Sequence, residues 1–486
     1  MATECHTRCG ITFQRKVTAA FDGGEITSDA GLLLVREFDE RLGLTAALRA
    51  AVPDDRDRRY VTHDVLTLLR QRIYQIAAGY EDANDATYLR HDPTLQTVAQ
   101  RLGTPLASQP TLSRLENAVP WGTIHRLGGV LRQWFTRHAV ARRQPPAELI
   151  LDVDSTDDPT HGQQALSFFN GHYDEHMFHP LLVFADGYLL GARLRPGDVG
   201  GATHLHPLLE PIVTHLRRAL PATALALRAD GAFCNPALLD YAEATGLSYA
   251  IGMPPNPKLD AAVALHRVHA KVLYERTGQP VRWFTSVRYQ TRSWRHPRRV
   301  LAMIEHTAQG PNVRFVVTNR RGRAAAIFAW YHQRGQAENF IKELKRDLAA
   351  DRLSCHAFRA NAFRLLLHAL AYDLLHLFRL RVLPDTALAT ATLGTLRLRL
   401  LKLGARVVRS VRRWWFHLAT GWPGQPVFLA VHRRRSGRGV ARARHRDPAR
   451  IAIGASLPLD HSVIALRTPL TPIQRVDRRR PLPLHE

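Results

Sequence analysis

Lysine is scarce in this chain: it supplies only 6 of the 67 basic residues, so arginine carries nearly all the positive charge. Acids are also in short supply, 42 Asp and Glu in all, which leaves a formal net charge of +25 over 486 residues. A GC-rich coding sequence would account for arginine in place of lysine, but not for so large an uncompensated surplus. Arg and Lys gain binding energy by displacing counterions from phosphates, so the surplus points to nucleic acid. The four cysteines, Cys5, Cys9, Cys234 and Cys355, are too few and too scattered for a disulfide framework. Cys5 and Cys9 flank His6, yet no second ligand pair follows at zinc-finger spacing, which argues against structural zinc. No secretory leader opens the sequence. Long apolar runs are missing too. The most apolar stretch, 362–383, is interrupted by Arg364, His368, Asp373 and Arg379, and reads as a buried helix rather than a membrane span. Together these absences lead us to expect a soluble intracellular chain with no membrane association.

What is present is organised in blocks. A chain of this length exceeds one compact core, and 45% hydrophobic residues suffice for globular folding. Residues 1–145 read as mainly helical, with helical apolar spacing over 30–48, 63–78 and 95–102. Residues 108–117 form a short candidate helix capped by Ser108 with Pro110 in its first turn. Its Ser, Gln, Thr and Arg content suits a reader of the DNA major groove, and equally a surface helix packed on its neighbours. Residues 146–255 change texture: a buried strand over 148–154, a hairpin of 180–184 and 188–194 turning through Ala185-Asp186-Gly187, a helix over 206–219, a strand over 222–229, a helix over 236–245 and a strand over 247–252. That order is α/β and compatible with a central mixed sheet. Residues 256–325 form a β-rich insertion with strands at 281–289, 299–305 and 313–318. Long helices run from about 324 to 378, and residues 326–432 are taken as a segment holding a last long helix and a C-terminal region. The basic, Pro-rich segment 433–486 reads as a poorly ordered tail.

In so basic a chain, clustered carboxylates need a reason. Asp152, Asp154, Asp157 and Asp158 gather at the end of the first strand, and Asp230 ends another. Carboxylates at adjacent strand ends repel one another and are costly to bury unless a cation neutralises them. Hard oxygen ligands select magnesium or manganese, and two such ions about 3.5–4 Å apart serve phosphodiester chemistry. A single strand-end Asp is more simply a helix cap or turn residue. The helix expected over 326–348 adds Tyr331, Arg334, Glu338 and Lys345, which at about 100° per residue fall within an arc of roughly 60°. One face would present a hydroxyl, a guanidinium, a carboxylate and an ammonium; a solvated face with an Arg334–Glu338 ion pair explains the same spacing.

Tyr331-x2-Arg334-x3-Glu338-x6-Lys345 resembles in full the Tyr-Arg-Glu-Lys signature of a branch of bacterial insertion-sequence DDE transposases. The segments Gln333-Arg-Gly-Gln-Ala-Glu-Asn339, Ile341-Lys-Glu-Leu-Lys345, Gly79-Tyr-Glu-Asp-Ala-Asn-Asp85, 108–117, 152–170 and Asp351-Arg-Leu-Ser-Cys-His356 extend the likeness over roughly 20–430. The resemblance implies a ribonuclease-H-like core, a mixed sheet flanked by helices, with a β-rich insertion between the second and third acids and a helical N-terminal DNA-binding region. It places the first acid at Asp154, with Asp152 as the rival, the second at Asp230 and the third at Glu338. Glu343, about 500° from Glu338 along a helix, points elsewhere. These three acids would bind Mg²⁺ or Mn²⁺. Tyr331 and Arg334 would hold phosphates, and Lys345 would grip DNA further along. Trp294, or Trp283, would stack on an extruded base, although a core position explains a tryptophan as well. The implied partners are double-stranded DNA, as transposon inverted-repeat ends and target, and a second copy of the chain in the DNA complex. The implied location is the bacterial cytoplasm, at the nucleoid. An inactive transposase-derived DNA-binding regulator and a metal-dependent nuclease that does not join ends are the competing readings.

Overall fold

The computed structural model describes residues 8–10, 13, 16–139 and 145–435. The first described region carries strand β1 (Glu25–Thr27) and helices α1 (Leu32–Leu42) and α2 (Leu44–Ala51). A single helix was expected over 30–48. It breaks because Gly43 turns left-handed (φ 71°) and closes α1 with its N–H on the Asp39 carbonyl. Helix α3 (Val65–Ala78) starts where the Asp64 carboxylate accepts from Thr67 N and stops at left-handed Gly79. Helix α4 (Gln109–Ala118) follows Ser108, whose hydroxyl meets Thr111 Oγ1 at 3.3 Å and does not cap the backbone as expected. Leu112 and Glu116 turn inward, and Glu116 forms a fully buried ion pair with Arg72 of α3 at 2.9 Å. Sequence periodicity did not suggest helix α5 (Trp121–Trp134).

The central sheet comes next. Its strands are β2 (Glu148–Ser155), β3 (Leu181–Ala185), β4 (Tyr188–Arg193), β5 (Ala224–Ala229), β6 (Ser248–Met253), β7 (Val281–Tyr289), β8 (Arg298–Thr307) and β9 (Gly310–Thr318). They lie in the order β7-β8-β9-β6-β5-β2-β3-β4. The pairs β2/β5 and β5/β6 are parallel and the rest antiparallel, so the sheet is mixed as expected. The parallel connections run through α6 (Leu205–Ala219) and α7 (Pro236–Ala244), which supply the crossovers that parallel neighbours require.

Residues 256–325 hold the three expected strands, but they open with two helices that were not expected, Pro257–Ala262 and α8 (Ala264–Thr277), whose polar faces hid the helical period. The strands β7–β9 join the central sheet through β9 on β6.

After β9 come α9 (Ala324–His332), α10 (Gly335–Lys342), a π-turn at Glu343–Asp347 and α11 (Phe358–Val382). Helix α11 is buried along nearly its whole length, as its apolar run suggested, and one hydrophobic cluster joins it to α1–α5 and the sheet. At roughly 1.5–3 kcal/mol for each buried Leu or Phe, this helix is a principal source of cohesion. Among the described residues no helix is long and apolar enough to cross a membrane. A three-stranded sheet, unforeseen in the sequence, pairs β10 (Ala405–Arg409) with β11 (Trp414–Leu418) on one side and with β1 on the other. The described chain closes with α12 (Gln425–Arg435), which takes in the first residues of the expected tail. The rest of that tail, 436–486, lies outside the described residues.

Candidate active site

The register of two parallel strands builds the first part of the site. Arg228 pairs with Asp152 and Ala229 with Val153, so the next residues, Asp230 and Asp154, leave adjacent strand ends side by side. Neighbouring strands lie about 4.8 Å apart, which makes these two carboxylates close neighbours. Asp230 caps the short turn Gly231–Phe233, its Oδ1 accepting from Ala232 N at 2.9 Å. Asp154 is buried, and its Oδ1 accepts from Ser155 N at 2.9 Å.

Helix α10 packs against β2 and brings the third carboxylate. Arg334, at the N-terminus of α10, donates from Nη1 to Asp154 Oδ2 at 3.0 Å and from Nη2 to Glu338 Oε1 at 3.3 Å. One guanidinium therefore bridges the first and third expected acids. Burial raises the Asp154 carboxyl to about 6; Arg334 opposes that shift, while the negative charges of Asp230 and Glu338 add to it. Burial alone would lower the Arg334 pKa, but Asp154, Tyr331, Asp230 and Glu338 around it more than compensate and raise it. The four groups share one electrostatic environment.

Tyr331 completes this side. A Cβ placed on Gly252 would come within 2.7 Å of Tyr331 Oη and 2.8 Å of Gly231 N. Only glycine at the end of β6 lets the phenol approach the Asp230 turn so closely. Burial raises the phenol's pKa, Arg334 opposes that, and Asp230 and Asp154 reinforce it.

The single helix expected over 326–348 is interrupted at Gln333 and Arg334, where Arg334 N bonds the Tyr331 carbonyl at 2.9 Å in a tighter turn. It then widens into the π-turn at Glu343–Asp347. Arg334 and Glu338 remain paired beside Tyr331, whereas Lys345 bonds a different acid. Its Nζ donates to Asp157 Oδ2 at 2.6 Å and lies 3.9 Å from Asp351. Asp158, beside this pair, is buried with neither carboxylate oxygen hydrogen-bonded, and burial holds its pKa well above the usual carboxylate range.

The two rival acids are engaged elsewhere. Asp152 takes two charge-assisted bonds from Arg228, at 2.6 and 2.7 Å, and Arg228 also donates to the Trp330 carbonyl at 2.8 Å. Glu343 is held by Arg379 of α11 at 2.6 and 3.2 Å. Trp294, expected to stack on a base, is instead buried at 6% exposure. Tyr289 meets it edge-on and Arg298 covers its ring at 5.2 Å, so no ring face is open. Trp283 of β7 is exposed, with His269 stacked on it at 5.3 Å.

Sequence reasoning missed Tyr173. Burial raises its phenol pKa, and Asp157, Asp154 and Asp230 add to the effect, so it borders both acidic groups. It also missed His179, which joins Ser155 Oγ at 3.0 Å to the Val199 carbonyl at 3.0 Å and braces the end of β2. Neither residue carried a periodic or strand-end signal.

Among the described residues no three His, Cys, Asp or Glu side chains stand close enough to hold a metal ion as placed. The donor chemistry nevertheless suits a hard divalent cation. Asp154, Asp230 and Glu338 offer only oxygen, and mutual repulsion among them is relieved by a positive charge. Arg334 supplies that charge here. For the three acids to share an ion, the guanidinium must withdraw from between Asp154 and Glu338.

A search of curated proteins found no match. The sequence model of one family, described as transposase DDE domain group 1, matches residues 9–436.

Proposed function

From the premise that the chain belongs to the transposase DDE domain family, group 1, we propose that it is a divalent-metal-dependent enzyme that cuts the ends of an insertion sequence and joins them to target DNA. The observation that carries this reading is that Arg334 bonds both Asp154 and Glu338, with Asp230 at the neighbouring strand end, so that two parallel strands and one helix bring the three acids into one region. The strand, hairpin, helix, strand, helix, strand order of residues 148–253 supports a ribonuclease-H-like core with β7–β9 as its extension.

Asp154, Asp230 and Glu338 would hold Mg²⁺ or Mn²⁺, and the bound ions would activate the attacking oxygen and stabilise the leaving one. Ionised Asp154 would be the ligand. With its pKa raised to about 6, a share of it is still protonated near neutral pH, and a bound cation would lower that pKa. Arg334, displaced from the acids, becomes free to bind a phosphate in a forked, charge-assisted contact. Tyr331, whose hydroxyl lies close over Gly252, would hold the same phosphate. Lys345, tied here to Asp157, would exchange that carboxylate for DNA. Water would be the first nucleophile, and cleavage would leave a 3′-hydroxyl at the element's end; that hydroxyl would then attack a phosphodiester of target DNA, breaking its P–O3′ bond and releasing the target strand's 3′-hydroxyl. Because two ends must be brought together, the DNA complex is a dimer of this chain, working at the nucleoid.

The test is purified protein with Mg²⁺ and a duplex bearing the element's terminal inverted repeat. Strand cleavage followed by joined products supports the reading. Binding without cleavage would instead make the chain a DNA-binding regulator, and cleavage without joining would make it a nuclease.

A further inference from the structure

The β10–β11 hairpin carries charge of one sign only. Residues 402–418 hold Lys402, Arg406, Arg409, Arg412 and Arg413 and no carboxylate. Two of these cations are neutralised, Lys402 by Asp29 at 2.7 Å and Arg409 by Glu25 at 2.6 Å. Among the described residues, Arg406, Arg412 and Arg413 have no acidic partner, and all three are exposed.

Strand alternation sorts the hairpin into two faces. Ala405, Phe416 and Leu418 pack with Leu403 and Trp422 in a local core. On the other face, Arg406 lies between Ile26 of β1 and His417 of β11, and Val408 lies beside Trp415. Ile26, Val408 and Trp415 are all exposed. The tip is a built turn: Ser410 N and Oγ both donate to the Arg413 carbonyl, at 2.8 and 3.1 Å. Val411, Arg412 and Arg413 project from it.

We propose that this hairpin is a second duplex-DNA contact, with Arg406, Arg412 and Arg413 on backbone phosphates and Val408 and Trp415 resting against the groove wall. The charge is of one sign, and a two-stranded ribbon matches the width of the major groove. The proposal rests on the DNA-processing reading above and adds to it a surface outside the acidic centre. Phosphate contacts carry no sequence information, so the hairpin strengthens binding to end-bearing and unrelated duplexes equally.

The experiment uses the full chain and measures affinity for both duplexes against salt concentration. Replacing the three arginines by glutamine lowers the slope of log K against log salt by about 2.7, and lowers affinity on the order of 100-fold near 0.1 M salt, for both duplexes. The matching triple lysine variant restores the slope, which separates lost charge from a damaged fold. Trp415→Ala weakens binding several-fold and leaves the slope unchanged. An unchanged slope in the glutamine variant overturns the proposal, as does failure of the lysine variant to restore it. A glutamine variant that binds DNA normally but loses self-association would make the face a contact between copies, and also overturns it. If the wild type cleaves DNA while the glutamine variant binds normally, only the hairpin proposal falls. If the wild type binds and does not cleave while the variant loses its slope, the hairpin stands and the enzymatic reading falls. Wild-type protein that binds no duplex sinks both.

Discussion

Asp152 and Asp154 sit two residues apart on one face of β2, and each meets an arginine, but the two pairs differ in kind. Arg228 projects from the adjacent strand, grips both oxygens of Asp152, and is itself fixed by the Trp330 carbonyl and by the Trp330 ring at 5.1 Å. Every charge there is matched and every fork filled. Arg334 reaches Asp154 from a helix junction through one nitrogen and spends the other on exposed Glu338, while Asp230 stands in register beside them. Three carboxylates thus share one guanidinium. The first pair consumes its bonding capacity in holding two strands together. The second leaves negative charge unmatched, which is what a cation or a phosphate-bound metal can use.

The sharpest way to break this comparison is Asp154→Asn. On the proposed ligand role of Asp154, the variant should lower the cleavage rate on the order of 10³-fold or more, measured on an end-bearing duplex with Mg²⁺. The same variant keeps its thermal midpoint, because a repelled charge has been removed. Cleavage within tenfold of wild type would end the assignment. Arg228→Met should act on stability instead, costing about 3–5 kcal/mol in urea unfolding because Asp152 is left buried and unpaired. Converting Asp152→Leu in the same protein should recover most of that loss.

Asp373 of α11 extends the series to a buried aspartate with no cation at all. Its Oδ1 accepts from Leu189 N at 2.9 Å, its Oδ2 has no partner, and burial holds its pKa well above the usual range. In the unfolded chain it ionises near pH 4, whereas in the fold it keeps its proton to higher pH. Its contribution to stability is therefore complete below about pH 4 and falls as pH rises towards the folded pKa, by at most about 1.4 kcal/mol per unit. Asp373→Asn removes that titration, so the variant should gain on wild type as pH rises in paired urea melts. Parallel curves would refute it. The smallest effect is expected at Arg334, which is part-exposed. Arg334→Gln should cost about 1 kcal/mol in metal-free buffer. Mg²⁺ should then raise the midpoint of the variant more than that of wild type, since no guanidinium competes for the acids. An equal Mg²⁺ response would show that the guanidinium does not stand in for the ion.

Much of the sheet was legible because its signals are local. Strand β7 has the bounds expected from alternation, and the Ala185-Asp186-Gly187 turn joins β3 and β4 where the turn chemistry placed it. The candidate acids were legible for the same reason: strand ends and helical spacing are read over a few residues. The pairing of Lys345 with Asp157 was not legible, because straight-helix geometry was extended across a tight turn at Gln333–Arg334 and a π-turn, neither of which leaves a mark in apolar periodicity. Between a base contact and a core position the sequence could not choose for Trp294, because exposure is not a local property. Its burial depends on Tyr289 and Arg298 closing around it.

By itself the sequence determined the alternation of strand and helix, the ends of the acidic strands and the spacing of Tyr331, Arg334 and Glu338, since each is dictated by neighbours within one or two turns. Tertiary structure alone decided which aspartate of β2 received a saturating arginine, which carboxylate took Lys345, and that β1 would complete a sheet with strands nearly 380 residues away. Such outcomes follow from register between distant segments and from competition for a limited number of cations. Neither quantity exists until the chain has closed on itself.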